Sequence, residues 1–232
     1  MQNTNRKVAS TIAVDSDLFV KDKTGLNTVC VTPLNKRPNV VAKRLFDILF
    51  SSVFLLCLFP VVYIVLGIAI KLSSPGAVLF VQRRTGKGGK IFRCYKFRSM
   101  RMNEDTKPAT ENDPRTTRVG RFIRRTNLDE LPQFINVLKG EMSVVGPRPH
   151  ALWTDDEYAP LIEDYMLRYA VKPGITGWAQ VGGCRGETRR TEDMERRVEK
   201  DLWYLRNWTF TRDISIILRT IVSMFLGDRN AY

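Results

Sequence analysis

Ile48 to Ile70 is a run of 23 residues without a charged side chain. As a helix it is long enough to cross the roughly 30 Å hydrocarbon core of a bilayer. A chain with such a segment must bury it as a core helix or seat it in lipid, and the unbroken absence of charge favours lipid. Pro60 sits near its middle, where a missing backbone N–H and a ring clash favour a kink. Both flanks are basic, with Lys36, Arg37, Lys43 and Arg44 before and Lys71, Arg83, Arg84, Lys87 and Lys90 after. A spanning helix biases its cations to one side. Equal flanks predict a re-entrant, helix-break-helix segment over residues 41–72, kinked at Pro60, with a kinked single span as the alternative.

The formal net charge of +13 points to anionic partners such as phosphorylated substrates or acidic lipid. No RNA- or DNA-binding motif occurs and few aromatics interleave with the Lys/Arg runs, which argues against nucleic acid. The four cysteines (Cys30, Cys57, Cys94, Cys184) have neither zinc spacing nor a disulfide frame. His150 is the only histidine. Histidine-driven triads and histidine metal sites are therefore disfavoured, and oxygen-ligand chemistry with a hard cation is favoured.

The chemistry-bearing feature is Asp129-Glu130. Between Pro114 and Leu128 lie five arginines (Arg115, Arg118, Arg121, Arg124, Arg125) and no acid. Two carboxylates then follow together, ahead of a Gly146-Pro147-Arg148-Pro149 turn. Groups that bind phosphate thus adjoin groups that can attack phosphorus or hold a divalent cation. An ordinary helix start explains the acids equally well, because helix N-termini favour negative charge. Leu131, Phe134, Ile135 and Leu138 have helical spacing, Pro132 suits a first turn and Gly140 suits a C′ position, so a helix is expected from about Asp129.

Residues 1–40 are polar, without sustained periodicity or the early apolar core of a signal peptide, and read as a mobile N-terminal arm. Residues 73–232 read as one compact domain, which the resemblance described below implies to be the catalytic one. Val78–Val81 and Ile91–Phe97 read as strands around a Gly-rich turn, Arg84–Lys90, placed near anionic headgroups. Lys96 and Arg98 fall on one face at the end of the second strand. Residues 192–207 read as an amphipathic helix with Met194, Val198, Leu202 and Leu205 inward. Residues 214–226 form an apolar helix too short to span, either core or interfacial.

Six motifs together resemble the monotopic phosphoglycosyl transferases, the bacterial sugar transferase family, over about residues 41–232. They are Lys43-Arg44-Leu-Phe-Asp47, Tyr95-Lys-Phe-Arg-Ser-Met100, Leu128-Asp-Glu-Leu-Pro-Gln133, Asn136-Val-Leu-Lys-Gly140, Met142-Ser-Val-Val-Gly-Pro-Arg-Pro149 and Lys172-Pro-Gly-Ile-Thr-Gly-Trp-Ala-Gln180. The resemblance implies transfer of a sugar-1-phosphate from a UDP-sugar to undecaprenyl phosphate, with release of UMP and a requirement for Mg2+. It implies Asp129 as nucleophile, forming a covalent phosphosugar intermediate, and Glu130 as the carboxylate associated with the metal beside it. Arg124 is implied as a polyprenyl-phosphate contact, Arg148 as a phosphate or uridine contact, and Lys96 and Arg98 as lining the same basic site. The expected fold is α+β: a small, mostly helical catalytic domain with a short β-hairpin, a re-entrant membrane segment and amphipathic interfacial helices. The expected seat is the cytoplasmic face of the bacterial inner membrane, against anionic lipid, with a homo-oligomer left open. The carboxy-terminal stretch is most similar to members that start capsule or O-antigen synthesis with a hexose, so glucose or galactose is the expected sugar. Phe59 stands where a serine often precedes the kink proline, and Gly182 where an asparagine is common. A non-catalytic basic membrane protein or assembly scaffold is the rival reading, but it gives Asp129-Glu130 no purpose.

Overall fold

A computed structural model of the chain describes residues 19–21, 27–29, 32–101, 113–186, 188 and 190–226. Most of the expected 1–40 arm therefore lies outside the described residues, as do Glu187 and residues 227–232. Two three-residue strands, β1 (Phe19–Lys21) and β2 (Asn27–Val29), pair antiparallel. The first long element is a helix over Arg37–Ser73, in which α1 (Arg37–Val53) runs through a π-helical turn, Phe54–Leu58, into α2 (Phe59–Ser73). Pro60 falls at the start of α2. The wider π turn in front of it accommodates the hydrogen bond that proline cannot make, so the chain bends without leaving helical geometry. Phe59 fills the bend with aromatic contacts to Phe97, Tyr63 and Phe54.

This helix is only 17% buried over its apolar window, and Leu49, Leu56, Val61, Ile64 and Leu72 are among its exposed side chains. A core helix of a soluble domain would bury that surface. It marks a membrane-associated chain. The charged residues at its start are staples to the rest of the domain rather than a solvated flank. Lys43 forms a buried ion pair with Asp213 at 2.5 Å, and Arg44 donates to the carbonyls of Val137 (2.6 Å) and Leu138 (2.8 Å). Asp47 accepts from Ser143 Oγ and the Val144 N–H.

β3 (Leu79–Thr85) and β4 (Ile91–Phe97) form the expected hairpin, closed by a turn at Lys87–Gly89. β3 runs further than its apolar stretch, because Arg83, Arg84 and Thr85 pair with Arg93, Phe92 and Ile91. Next come α3 (Arg118–Arg125), a 3-10 turn at Leu128–Glu130, and α4 (Gln133–Lys139), which stops at Gly140 in the left-handed region. β5 (Ser143–Val145) and β6 (Gly174–Thr176) form a parallel pair that periodicity does not reveal, since each is three residues long and its partner is distant. α5 (Leu152–Tyr158) lies between them, and a short α6 (Trp178–Val181) follows. A Cβ on Gly174 would lie 2.0 Å from the Gly146 amide nitrogen, so this pair closes only with glycine there.

α7 (Thr191–Arg206) buries Met194, Val198, Leu202 and Leu205 as its spacing predicts. α8 (Phe210–Leu226) buries one side in the core and leaves another open: Asp213 and Ile216 are buried while Leu218, Ile221 and Val222 are exposed. The main core joins β4, α4, β5 and α7 to Phe46 and Phe50 of α1 and to Phe54 of the π turn. A smaller cluster sets Leu66 and Ile70 of α2 against Phe97 and Ile123.

Candidate active site

Asn127, at φ 60°, turns the chain after α3 and delivers Asp129 and Glu130 on the 3-10 turn instead of inside a helix. Neither acid caps α4, whose start carries no side-chain cap at all. Glu130 is clamped instead. Its Oε1 accepts from Lys96 Nζ at 2.9 Å and Arg148 Nη2 at 2.5 Å, and its Oε2 accepts from Arg148 Nη1 at 3.1 Å. Two parallel N–H···O bonds from one guanidinium are the strong, planar form of this pair. Burial opposes the Glu130 charge, but Arg148 and Lys96 outweigh it and hold the carboxyl well below the usual carboxylate range.

Asp129 is just as buried but makes no hydrogen bond to any described residue. Burial, with Glu130 adding to it, pushes its carboxyl above the usual value against the pull of Lys96, Arg124 and Arg148. One acid is clamped and its neighbour is not.

Three elements carry the cations. Lys96 stands on β4, whose neighbouring Tyr95 N–H is taken by Asn136 Oδ1 (3.1 Å), fixing that strand against α4. Arg148 follows β5 in the Pro-Arg-Pro turn. Arg124 alone of the arginine ladder turns inward, donating to Ser99 Oγ at 2.8 Å and Met100 Sδ at 3.0 Å. Arg118, Arg121 and Arg125 are exposed, and Arg115 pairs with Asp113 at 2.6 Å. A Cβ on Gly120 would fall 1.7 Å from the Ser99 carbonyl, so that glycine lets α3 press close enough for Arg124 to reach. Arg98 does not join the site. β4 ends at Phe97, and the Arg98 guanidinium donates to the carbonyls of Ser74 (2.7 Å) and Pro75 at the C-terminus of α2. There it satisfies carbonyls that a helix end leaves open. Alternation along the strand placed Lys96 and Arg98 together; the end of the strand separates them.

The structure adds one cation that sequence reasoning missed. The charge of Arg185 reaches Glu130 and helps lower its carboxyl. Its loop is held by Arg197 of α7, which donates to the carbonyls of Cys184 (3.0 Å) and Gly186 (2.6 Å) on either side. No motif signals this, because the arginine reaches the carboxylate only through the fold. Behind Arg148 lies a second, closed network. Arg168 donates to the Arg148 carbonyl (2.8 Å), to Asp201 Oδ2 (2.6 Å) and to His150 Nε2 (2.9 Å). His150 Nδ1 meets the Tyr165 hydroxyl at 2.6 Å, and Tyr165 donates to Asp155 at 2.8 Å.

A buried acid pair is ringed by cations on a chain that also carries a long, exposed apolar helix. The chain belongs to the bacterial sugar transferase family, whose model matches residues 38–227. It is 52% identical over 209 residues to a UDP-glucose:undecaprenyl-phosphate glucose-1-phosphate transferase of Escherichia coli, covering 87% of this chain and 45% of that protein. A protein of the same name from Klebsiella pneumoniae is 50% identical, covering 89% of this chain and 46% of its own length. One from Caulobacter vibrioides is 44% identical, with 86% and 75% covered. The chain thus spans a little under half the length of the first two relatives.

Proposed function

We propose that this chain transfers a sugar-1-phosphate, glucose-1-phosphate first among candidates, from a UDP-sugar to undecaprenyl phosphate with release of UMP. The observation that carries the reading is the division of labour between the two acids. The names of the E. coli, Klebsiella and Caulobacter relatives support the same donor and acceptor.

Glu130, neutralised by Lys96 and Arg148, is a poor nucleophile and a good anchor for those two cations. Lys96 keeps further N–H donors beyond the one given to Glu130, and together with Arg148 it offsets the charge of a diphosphate that would otherwise repel a carboxylate. Asp129, free of hydrogen bonds and destabilised as an anion by burial, is the better nucleophile. In the first step a carboxylate oxygen of Asp129 bonds to the sugar-bearing phosphorus, and the phosphoanhydride bond breaks to expel UMP. In the second, an oxygen of the lipid phosphate, held by Arg124, bonds to that phosphorus. The acyl-phosphate bond then breaks and Asp129 returns as a carboxylate. Among the described residues no cluster of three His, Cys, Asp or Glu side chains occurs. The adjacent pair instead suits Mg2+, which is commonly held by one or two carboxylates and completed by substrate phosphates and water. Asp129 and Glu130 would hold it, and it would supply further neutralisation of the diphosphate.

The re-entrant seat on the cytoplasmic face of the inner membrane belongs to the same reading. It is supported by the contacts of both arms with one body: Phe50 and Phe54 before the bend meet Phe134, while Leu66 and Ile70 after it meet Phe97 and Ile123. A span would carry one arm away. Tags at residues 1 and 232 should both resist external label in sealed spheroplasts; labelling of only one would establish a span. For the chemistry, Asp129→Asn should abolish UMP release and retain no radiolabel from a sugar-labelled donor, while still binding membrane. Full UMP release by that variant would remove Asp129 from the reaction.

A further inference from the structure

A second basic pocket lies away from the carboxylate pair. It is a half-open cavity of about 80 Å³ at the foot of α1, lined by Val40, Lys43, Arg44 and Asp47 of one helix face, with Lys87 and Lys172 opposite. Four cations thus surround one carboxylate. Lys43 is spent on Asp213, and Asp47 is engaged by Ser143 and Val144. Lys172 makes no hydrogen bond or ion pair with any described residue. Arg44 Nη2 and Lys172 Nζ each lie 3.6 Å from a Cβ built on Gly140, so the two heads are no more than about 7 Å apart, a gap that one phosphate can bridge.

Two elements measure the separation from the Asp129-Glu130 site. Arg44 grips the C-terminal carbonyls of α4, whereas Asp129 and Glu130 precede its first residue, and seven helical residues span about 10 Å. Ser143 lines the pocket, whereas Arg148, which clamps Glu130, lies five positions on, past the end of β5 at Val145. The pocket is therefore not part of the transfer site. Its level in the membrane follows from the sequence, since the uncharged stretch begins at Ile48, directly after Asp47. The pocket opens where the chain passes from water to hydrocarbon, the depth of lipid headgroups.

We propose that this pocket, between Arg44, Lys87 and Lys172, binds the phosphodiester of an anionic phospholipid headgroup. The assignment rests on the membrane seating proposed above, and it gives the Gly-rich turn that carries Lys87 a ligand. Arg44 keeps N–H donors beyond the two given to Val137 and Leu138, and each lysine is a movable point charge, a set suited to a phosphate whose substituents vary. Lys172 also supplies the reporter. Burial, then the neighbouring charges of Arg44 and Lys87, lowers its pKa, so more of its amine is neutral and reactive than that of an exposed lysine.

The test is amine acylation of the whole chain in neutral detergent micelles, read by mass spectrometry at Lys172 and at exposed Lys90. Adding phosphatidylglycerol should slow labelling of Lys172 at least fivefold and leave Lys90 within twofold. Glycerophosphoglycerol, a soluble phosphodiester with the same headgroup and no acyl chains, should protect Lys172 only at much higher concentration if the acyl chains place the headgroup. Protection of both lysines alike would mean a diffuse surface potential and would overturn the site, as would unchanged Lys172 labelling. Flotation with purely neutral phosphatidylcholine vesicles reports the seating separately. A chain that floats but leaves Lys172 unprotected refutes the pocket alone. A chain that fails to float refutes the seating, while the micelle result still decides the pocket.

Discussion

Two buried acid–base clusters meet at Arg148, and they are built on opposite terms. On its side-chain face Arg148 shares Glu130 with Lys96, and next to them Asp129 has no hydrogen bond among the described residues. On its backbone face Arg168 is fully buried against Asp201, His150 and the Arg148 carbonyl, with the rings of Tyr165 and Tyr169 each 5.5 Å away. The rear cluster satisfies its charges internally and so can only hold a shape. The front cluster gathers Lys96, Arg124, Arg148 and Arg185 around two acids, one of them uncommitted, and so has charge left over for an anionic substrate. Burial alone does not mark a functional site; an unbalanced account of charge within the burial does.

The strongest attempt to break this contrast strikes the rear cluster. Arg168→Met leaves Asp201 buried without its partner and should cost about 3–5 kcal/mol of stability, read as a lowered denaturation midpoint in detergent. Adding Asp201→Leu should restore much of it, because an apolar pair can replace a buried ion pair. A single variant of unchanged stability would show that the network is not closed.

Arg148→Lys probes the front cluster. It keeps the charge but loses the fork that grips both Glu130 oxygens. Turnover should fall about 100-fold, the scale of losing one preorganised donor, with the denaturation midpoint nearly unmoved. Unfolding as severe as that of Arg168→Met would erase the distinction between the two clusters.

The smallest effect is a pH dependence. Burial, then the charge of Arg168 with Arg197, Arg84 and Arg148, holds His150 well below the usual histidine range. Between its ordinary value and that lowered one the unfolded chain binds a proton that the folded chain refuses, so stability falls as pH drops. From pH 6.5 to 5.5 the loss should be about 1 kcal/mol, and His150→Gln should flatten the curve over that window.

Much of this was legible beforehand. The apolar run, the hairpin, the helix ending at Gly140 and the inward face of α7 each follow from local spacing. Asp129, Glu130, Lys96, Arg124 and Arg148 were all named from motifs, and the fold brings them to one place. Arg98 was not legible, because the end of β4 at Phe97 decides which way its side chain goes. Arg185 was not legible either, since only Arg197 of a distant helix carries its loop to the acids. The β5–β6 pair escaped because three residues are too few to show a period.

By itself the sequence determined that the chain carries a helix for lipid, an excess of positive charge and a paired carboxylate beside phosphate-binding arginines. These depend on properties that neighbours along the chain share: run length, sign of charge and period. Tertiary structure alone decided which of the two acids is clamped, which single arginine of five turns inward, and which cations remain uncommitted. Those outcomes depend on distances between residues far apart in sequence, where a hydrogen bond of a few ångströms separates a saturated charge from an available one.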